Sequence, residues 1–216
     1  MAYAPDWSER VRRGYDVASC AYRADDAESG LYAAWIHRLD GVLPRCSRVV
    51  DLGCGCGVPV ARDLAAAGHA VVGVDLSQTQ IERARRLVPA GEFHCDDLAG
   101  VDFAEGSFDA AVFLYSIIHL PLDQQPVILQ RVARWLRPGG VLALIAGVDA
   151  WTGSEDRWLG SDATMWWSQA DSSTYRGWLE AAGFFIDEEV VVSEGLSAHA
   201  LFWAHSVRGR SGGPDE

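Results

Sequence analysis

The chain has 216 residues, 49% of them hydrophobic and 22% charged, which fits one folded domain and excludes a disordered chain. No apolar run approaches the roughly 20 residues needed to span a bilayer, and 30 acidic against 18 basic residues leave a net charge of −12. That charge opposes docking on nucleic acid or anionic lipid, so a small-molecule partner is expected, with no nucleic acid and no membrane. The opening MAYAPDWSER has neither the basic nor the apolar region of a secretory signal, which predicts a cytoplasmic protein. Cys20, Cys46, Cys54, Cys56 and Cys95 show no chelating or disulfide spacing, so reduced thiols and no metal are expected.

Two helical patterns come first, one with Val11, Tyr15 and Ala18 on its apolar face and one with Leu31, Trp35, Ile36 and Leu39. Together they predict a helical cap over residues 1–45. From Arg48 onward short apolar runs alternate with amphipathic segments, the pattern of a parallel sheet covered on both faces. Strands are expected at 48–52, 70–74, 91–94, 108–114 and 140–146, with helices at about 58–68, 77–88 and 123–136. Pro138-Gly139-Gly140 closes the last helix. Residues 148–170 break the alternation and read as a Trp-rich lid insertion without a regular period. A helix at 171–182 follows, capped by Asp171 and stopped by Gly183, then strands at 184–192 and about 198–206 with no helix between them. The expected fold is α/β: a Rossmann-like, doubly wound, mostly parallel seven-stranded sheet ending in an antiparallel hairpin, in one domain over 1–207 with a flexible tail at 208–216.

The chemistry concentrates in VVDLGCGCGVPV, where a buried strand enters a turn with Gly53, Gly55 and Gly57. A dinucleotide fingerprint needs G-x-G-x-x-G, and here Val58 holds the place of its third glycine. Asp51 at the strand end would repel a pyrophosphate and attract a cationic amine or sulfonium. The next strand ends in Asp75, placed to accept both hydroxyls of a ribose or else to cap the helix that follows. After the third strand comes Asp96-Asp97, placed for an exocyclic adenine amine; Asp96 is favoured, with backbone groups of Asp97 and Leu98 taking part. Three carboxylates at successive strand ends describe a nucleoside with a positive charge and no phosphate.

In these segments the chain resembles the class I S-adenosylmethionine-dependent methyltransferases, over nearly its whole length. VVDLGCGCG is similar to their glycine-rich motif, VDLSQTQIERAR to their acidic ribose motif, CDDL to their adenine-side motif, and LRPGGVLAL to the lead into their fifth strand. GYDVASCAY resembles their N-terminal Y-D-x-x-A-x-x-Y helix. FAEGSFDAAVFLYSIIHLP and MWWSQAD with YRGWLEAAGF are similar to a bacterial small-molecule group within the family. The resemblance implies S-adenosylmethionine as cofactor, S-adenosylhomocysteine as product, and cofactor contacts from Tyr15, Tyr22, Asp51, Gly53, Cys54, Gly55, Gly57, Asp75, Leu76, Asp96, Asp97, Leu98 and Tyr115. It implies O-, N- or C-methylation of a small organic acceptor by a monomer or homodimer.

At the reacting end, the fourth strand delivers Tyr115, Ser116 and His119 to the edge where ligands bind in such sheets. Tyr115 and His119 are the catalytic candidates, His119 as a base or as a residue that only shapes the pocket. Trp151, Trp158, Trp166 and Trp167 form either an aromatic wall for the acceptor or a lid packed on the core, and Trp151, Trp166, Trp167 and His119 are the substrate-binding candidates. Asp149, Glu155 or Asp162 would add negative charge there. Where matching family members often have His, this chain has Gln169, which weakens a second base at that position. His94 reads as a core histidine, and Arg83, Arg85 and Arg86 as a solvated helix face. A cofactor-binding partner without methyl transfer, a cyclase or rearrangement enzyme on the same fold, and a nicotinamide-dependent dehydrogenase are the alternatives, since fold does not choose among them.

Overall fold

Alternation of side chains along the strands builds two apolar layers, one on each face of a single sheet. In the computed structural model, residues 7–194 and 197–207 are described; the expected tail at 208–216 and the first six residues of the cap lie outside them. In chain order the elements are α1 (Trp7–Tyr22), α2 (Tyr32–Val42), β1 (Arg48–Leu52), α3 (Val60–Ala66), β2 (Ala70–Asp75), α4 (Gln78–Leu87), β3 (Glu92–Cys95), β4 (Phe108–Leu114), α5 (Gln125–Trp135), β5 (Leu136–Gly147), β6 (Trp151–Glu155), β7 (Met165–Gln169), α6 (Ser172–Ala182), β8 (Phe184–Glu194) and β9 (Ser197–Ser206). The sheet order is β3-β2-β1-β4-β5-β9-β8. Strands β1 to β5 pair in parallel, and β9 runs antiparallel to both β5 and β8. The chain has the Rossmann-like α/β fold, a mostly parallel seven-stranded sheet with a C-terminal antiparallel hairpin.

Val50, Leu52, Val72, Val74, Phe113 and Leu144 face α5 and α6, whose Ile128, Val132, Tyr175 and Leu179 complete one buried layer. The residues one step out of phase, among them Val49, Val71, Val112 and Ile145, meet Ile36, Leu64 and Ile81 from α2, α3 and α4. Helix α6 begins where Asp171 accepts the Thr174 amide and ends at Gly183, whose φ of 92° is the left-handed stop that glycine permits. Helix α5 ends at Trp135, before the Pro-Gly-Gly segment: Leu136 already pairs with Phe108, and regular pairing resumes at Ala110 with Val141.

Two departures from the sequence expectation matter. Residues 148–170 are not irregular: β6 and β7 pair as a separate antiparallel ribbon, with Ser154 opposite Trp166 and Trp151 opposite Gln169. Its connection hides the hairpin because the left-handed positions fall on Arg157 and Leu159 as well as on Gly160, not on an Asn-Gly or Asp-Gly pair. The ribbon packs against α1 through a small cluster of Val11, Ala18, Trp158 and Met165.

Arg83 is the other correction. It is buried, not solvated, and its guanidinium donates to Asp25 at 2.6 Å, to the Arg23 carbonyl at 2.6 Å and to Ser19 Oγ at 2.6 Å. Arg86 adds a bond to Asp25, and Arg85 donates to the Phe93 carbonyl. The helix face reads as solvated from α4 alone because Asp25 comes from a distant connector. Through this guanidinium, α1 and the segment after it are fixed to α4. Arg83→Ala should lower stability by about 2–3 kcal/mol in urea denaturation, and hydrogen exchange should rise first in residues 19–31 while β1, β2 and β4 stay protected.

Candidate active site

Strand order reverses around β1, with β2 on one side and β4 on the other, and ligands of open α/β sheets bind at the carboxyl ends beside such a reversal. The turn after β1 is held against β2, since the amides of Gly53 and Cys54 both donate to the Val74 carbonyl at 2.7 and 3.0 Å. Its approach to β4 requires glycine: a Cβ on Gly53 would lie 2.2 Å from Ser116 Cβ, and φ is +78°. Tyr115 leaves β4 with φ +63°, a left-handed backbone that costs a non-glycine residue about 1–3 kcal/mol and that clusters at functional sites.

Asp75 Oδ2 accepts the Gly55 amide at 2.8 Å and Oδ1 accepts the Ser77 amide at 2.9 Å. The cap of α4 is Ser77, whose hydroxyl accepts the Gln80 amide, so Asp75 bridges the glycine turn and the helix entry. Asp51 is 3% exposed, and its Oδ2 has no hydrogen-bond partner. Burial, aided by the charge of Asp75, raises Asp51 to about 7; burial raises Asp75 to about 6 against the opposing bonds from Ser77 and Gly55. Burial likewise pushes the Cys54 thiol well above its usual range, which keeps it in the protonated form.

Three neighbouring spaces that share lining residues lie at this edge. A cleft of about 70 Å³ is bounded by Gly53, Gly55, Asp75, Leu76, Asp97, Leu98, Tyr115 and His119 from the sheet side and by Tyr15 and Tyr22 from α1. A hollow of about 40 Å³ behind the glycine turn contains Asp51 and Cys54 together with Arg23. A chamber of about 460 Å³ opens on the far side, walled by Tyr32, Tyr115, Trp158 and Trp167, with Arg23, Glu28 and His199 at its margin.

Several expected residues stand elsewhere. Asp96 lines none of the three spaces and accepts the Asp97 amide in an exposed turn, whereas Asp97 lines the cleft. Gly57 sits behind the turn against Val88 and Phe93. Trp151 is half exposed, and Trp166 packs on Trp7 at 6.0 Å, so neither reaches the chamber, whereas Trp158 and Trp167 do. Glu28, not Asp149, Glu155 or Asp162, is the chamber's carboxylate; Gln169 donates to the Asp149 carbonyl. His94 is exposed beside Glu92 at 2.8 Å, not in the core. The residues that sequence reasoning missed include Trp7 and Arg12, which line the cleft from α1. Trp7 lies four residues before Val11 and eight before Tyr15, a helical spacing that carried the signal. Arg23, Glu28 and Tyr32 lie in or beside a connector without any period and gave none.

His119 is 7% exposed. Its Nδ1 lies 2.9 Å from the Trp166 carbonyl oxygen and so must donate there, which leaves Nε2 to accept the Tyr15 hydroxyl at 2.9 Å. Burial lowers its pKa to about 4, with the Trp166 bond opposing. Both nitrogens are engaged within the protein, so His119 has none free to take a proton from an acceptor directly, contrary to its expected role as a base. Among the described residues no cluster of three metal-capable side chains is assembled, and no helix is long and apolar enough to cross a membrane.

The methyltransferase domain family matches residues 49–140, from β1 into β5. A 27-O-demethylrifamycin SV methyltransferase of Amycolatopsis mediterranei is 35% identical over 149 residues, 64% of this chain and 51% of that one. A 2-methyl-6-phytyl-1,4-hydroquinone methyltransferase of Synechocystis is 32% identical over 121 residues, 53% of this chain and 35% of that one. The chain thus spans about half the length of the first relative and about a third of the second. Magnesium protoporphyrin IX methyltransferase of Synechocystis, solved with bound S-adenosylhomocysteine, superposes with a TM-score of 0.73 over 93% of this chain and 100% of that one, at 19% identity, a likeness of fold. The residues that match the methyltransferase domain family run through the glycine turn and the acidic strand ends, so the likeness falls on the segment that builds the site.

Proposed function

We propose that this protein binds S-adenosylmethionine along the cleft and hollow and transfers its methyl group to a small organic acceptor in the aromatic chamber. One observation carries the reading. The hollow behind the glycine turn holds one carboxylate, Asp51, with a buried and unpartnered oxygen, and one guanidinium, Arg23. An amino-acid zwitterion needs one group of each sign, whereas a pyrophosphate would meet Asp51 with repulsion. Along the cleft, Asp75 keeps free lone pairs for ribose hydroxyls, Leu76 and Leu98 offer apolar faces to a base, and Asp97 stands for its amine. The relatives named above are, by their names, methyltransferases of a rifamycin and of a hydroquinone, which supports a small-molecule acceptor.

Bound there, the cofactor supplies a methyl group on a positively charged sulfur. The chain's own residues position and desolvate: Tyr15, Tyr22 and Tyr115 stand between cleft and chamber, and Trp158 and Trp167, set edge to face at 76°, wall the chamber with aromatic surface. The chamber's volume falls in the range of pockets for organic ligands of drug size.

Calorimetry should show saturable binding of S-adenosylhomocysteine and none of NADH; the reverse would overturn the cofactor assignment. Asp75→Ala should weaken S-adenosylhomocysteine by about 1.5–3 kcal/mol without unfolding the chain. Asp51 supplies a signed pH test. With a folded pKa of about 7 against an unfolded value of 3.8, it stabilises the free protein below the unfolded value, and that stability is lost as pH rises through 7. Asp51→Asn should therefore be more stable than the wild type at pH 8, by about 1–3 kcal/mol, with the difference gone near pH 4 in urea titrations. The same variant should bind S-adenosylhomocysteine more weakly, and wild-type affinity should fall as pH drops below about 7. Trp167→Ala should leave cofactor affinity unchanged and raise the KM of an acceptor or lower kcat, while Trp151→Ala should change neither.

A further inference from the structure

Four side chains line both the cofactor cleft and the acceptor chamber: Tyr15, Tyr22, Tyr115 and His119. They form the boundary that the two spaces share. We infer that Tyr15 Oη is the catalytic hydrogen-bond acceptor at this boundary, held in that polarity by His119, and that the acceptor is consequently an O–H or N–H nucleophile that arrives with its proton. The inference rests on the methyl-transfer reading and deepens it to a substrate class.

Polarity follows from a chain of obligatory donors. The Trp166 carbonyl oxygen can only accept, so His119 Nδ1 carries the hydrogen; Nε2 of the neutral ring then offers a lone pair, and Tyr15 must donate to it. The Tyr15 hydrogen is thereby committed to His119, and Oη, which also bonds the Tyr22 hydroxyl, is left as an acceptor. Tyr22 and Trp158 stand edge-on to the Tyr15 ring at 5.1 and 5.2 Å and fix its plane. A neutral nucleophile whose X–H donates to Oη has its own lone pair oriented and its hydrogen kept away from the incoming carbon. An aprotic or anionic nucleophile would meet only repulsion there.

The same bonds give the departing proton a path. As the X–C bond forms and the C–S bond breaks, the C–S electron pair remains on sulfur and its positive charge vanishes. The X–H proton moves to Tyr15 Oη while the proton of Tyr15 moves to His119 Nε2, and the imidazolium keeps its Nδ1 bond to Trp166. One positive charge is present before and after, displaced from sulfur to imidazole. Because burial disfavours the imidazolium, the proton passes on to solvent when the product leaves. His119 acts through Tyr15 and is a positioning residue.

The test uses the chain loaded with S-adenosylhomocysteine and two probes of one shape, phenol and toluene, with affinities read by ligand-observed NMR. Wild type should bind both, and Tyr15→Phe should weaken phenol by about tenfold and leave toluene unaltered. Independently of any variant, ¹⁵N spectra of wild type should show His119 as the Nδ1–H tautomer with a hydrogen-bonded Nε2 between pH 5.5 and 8. Equal phenol affinity in wild type and Tyr15→Phe, no phenol binding to wild type, or an Nε2–H tautomer would each overturn the inference. If Tyr15→Phe does not fold, the wild-type tautomer decides. Failure of S-adenosylhomocysteine to bind wild type would overturn the cofactor assignment itself, an outcome separate from unchanged phenol affinity in a loaded protein.

Discussion

The close approach of the turn after β1 to the end of β4 is the constraint on which the site depends. Parallel pairing places Asp51 beside Val112, and one residue beyond β1 the chain must turn back over β2 while β4 runs out beside it. The absent side chain at Gly53 makes room for Ser116, whose hydroxyl donates to the Leu52 carbonyl and ties the two strand ends together. That contact sets the height at which Tyr115 leaves the sheet, and the following turn then carries His119 under α1. A larger residue at position 53 would separate β1 from β4 and with them the two halves of the site.

The same geometry forces two carboxylates into the interior, and their energetics oppose those of the histidine. Asp51 and Asp75 bind protons more tightly in the folded chain than in the unfolded one, so their contribution to stability falls as pH rises across roughly 4 to 7. His119 binds its proton less tightly when folded, so its contribution rises with pH between about 4 and 6.5. The two slopes partly cancel in the free protein. A cationic ligand breaks the balance, because it favours ionised Asp51 while leaving His119 neutral. Of the two carboxylates Asp51 is the one with an oxygen left without a partner, whereas Asp75 accepts two backbone amides, and strongly perturbed buried groups of this kind cluster at functional sites.

How much of this was legible from sequence follows from where each signal is stored. The sheet strands announce themselves because both faces are buried and each appears as an apolar run between turns; Asp75 and the glycines are legible because they end those runs. The β6–β7 ribbon was not, because Trp151, Trp166 and Trp167 follow no strict alternation and the turn uses Arg157 and Leu159 in left-handed conformations. Arg83 was misjudged for a related reason: its partners Asp25 and Ser19 lie about 60 residues away, and helical periodicity has no access to them. His119 was located correctly at the sheet edge, yet its chemistry is decided by Tyr15 and Trp166, 104 and 47 residues distant. Local pattern thus gives position, and long-range hydrogen bonds give protonation and role.

Those long-range bonds also decide which part of the molecule yields. The cleft and the hollow, at about 70 and 40 Å³, are far below the roughly 300 Å³ at which organic-ligand pockets begin, and the wall opposite the sheet is α1, which contributes Trp7, Val11 and Tyr15. The sheet side is closed by two continuous apolar layers and cannot open without loss of the core. By contrast α1 rests on a small apolar cluster, Val11 and Ala18 with Trp158 and Met165, and on polar contacts, Asp16 with Ser77 and the buried bonds of Ser19 with Arg83 and Gln80. Few buried apolar contacts mark the less stable wall of the site. Helix α1 is therefore the wall with less apolar contact behind it, and the Tyr15–His119 bond ties that helix to the segment after β4.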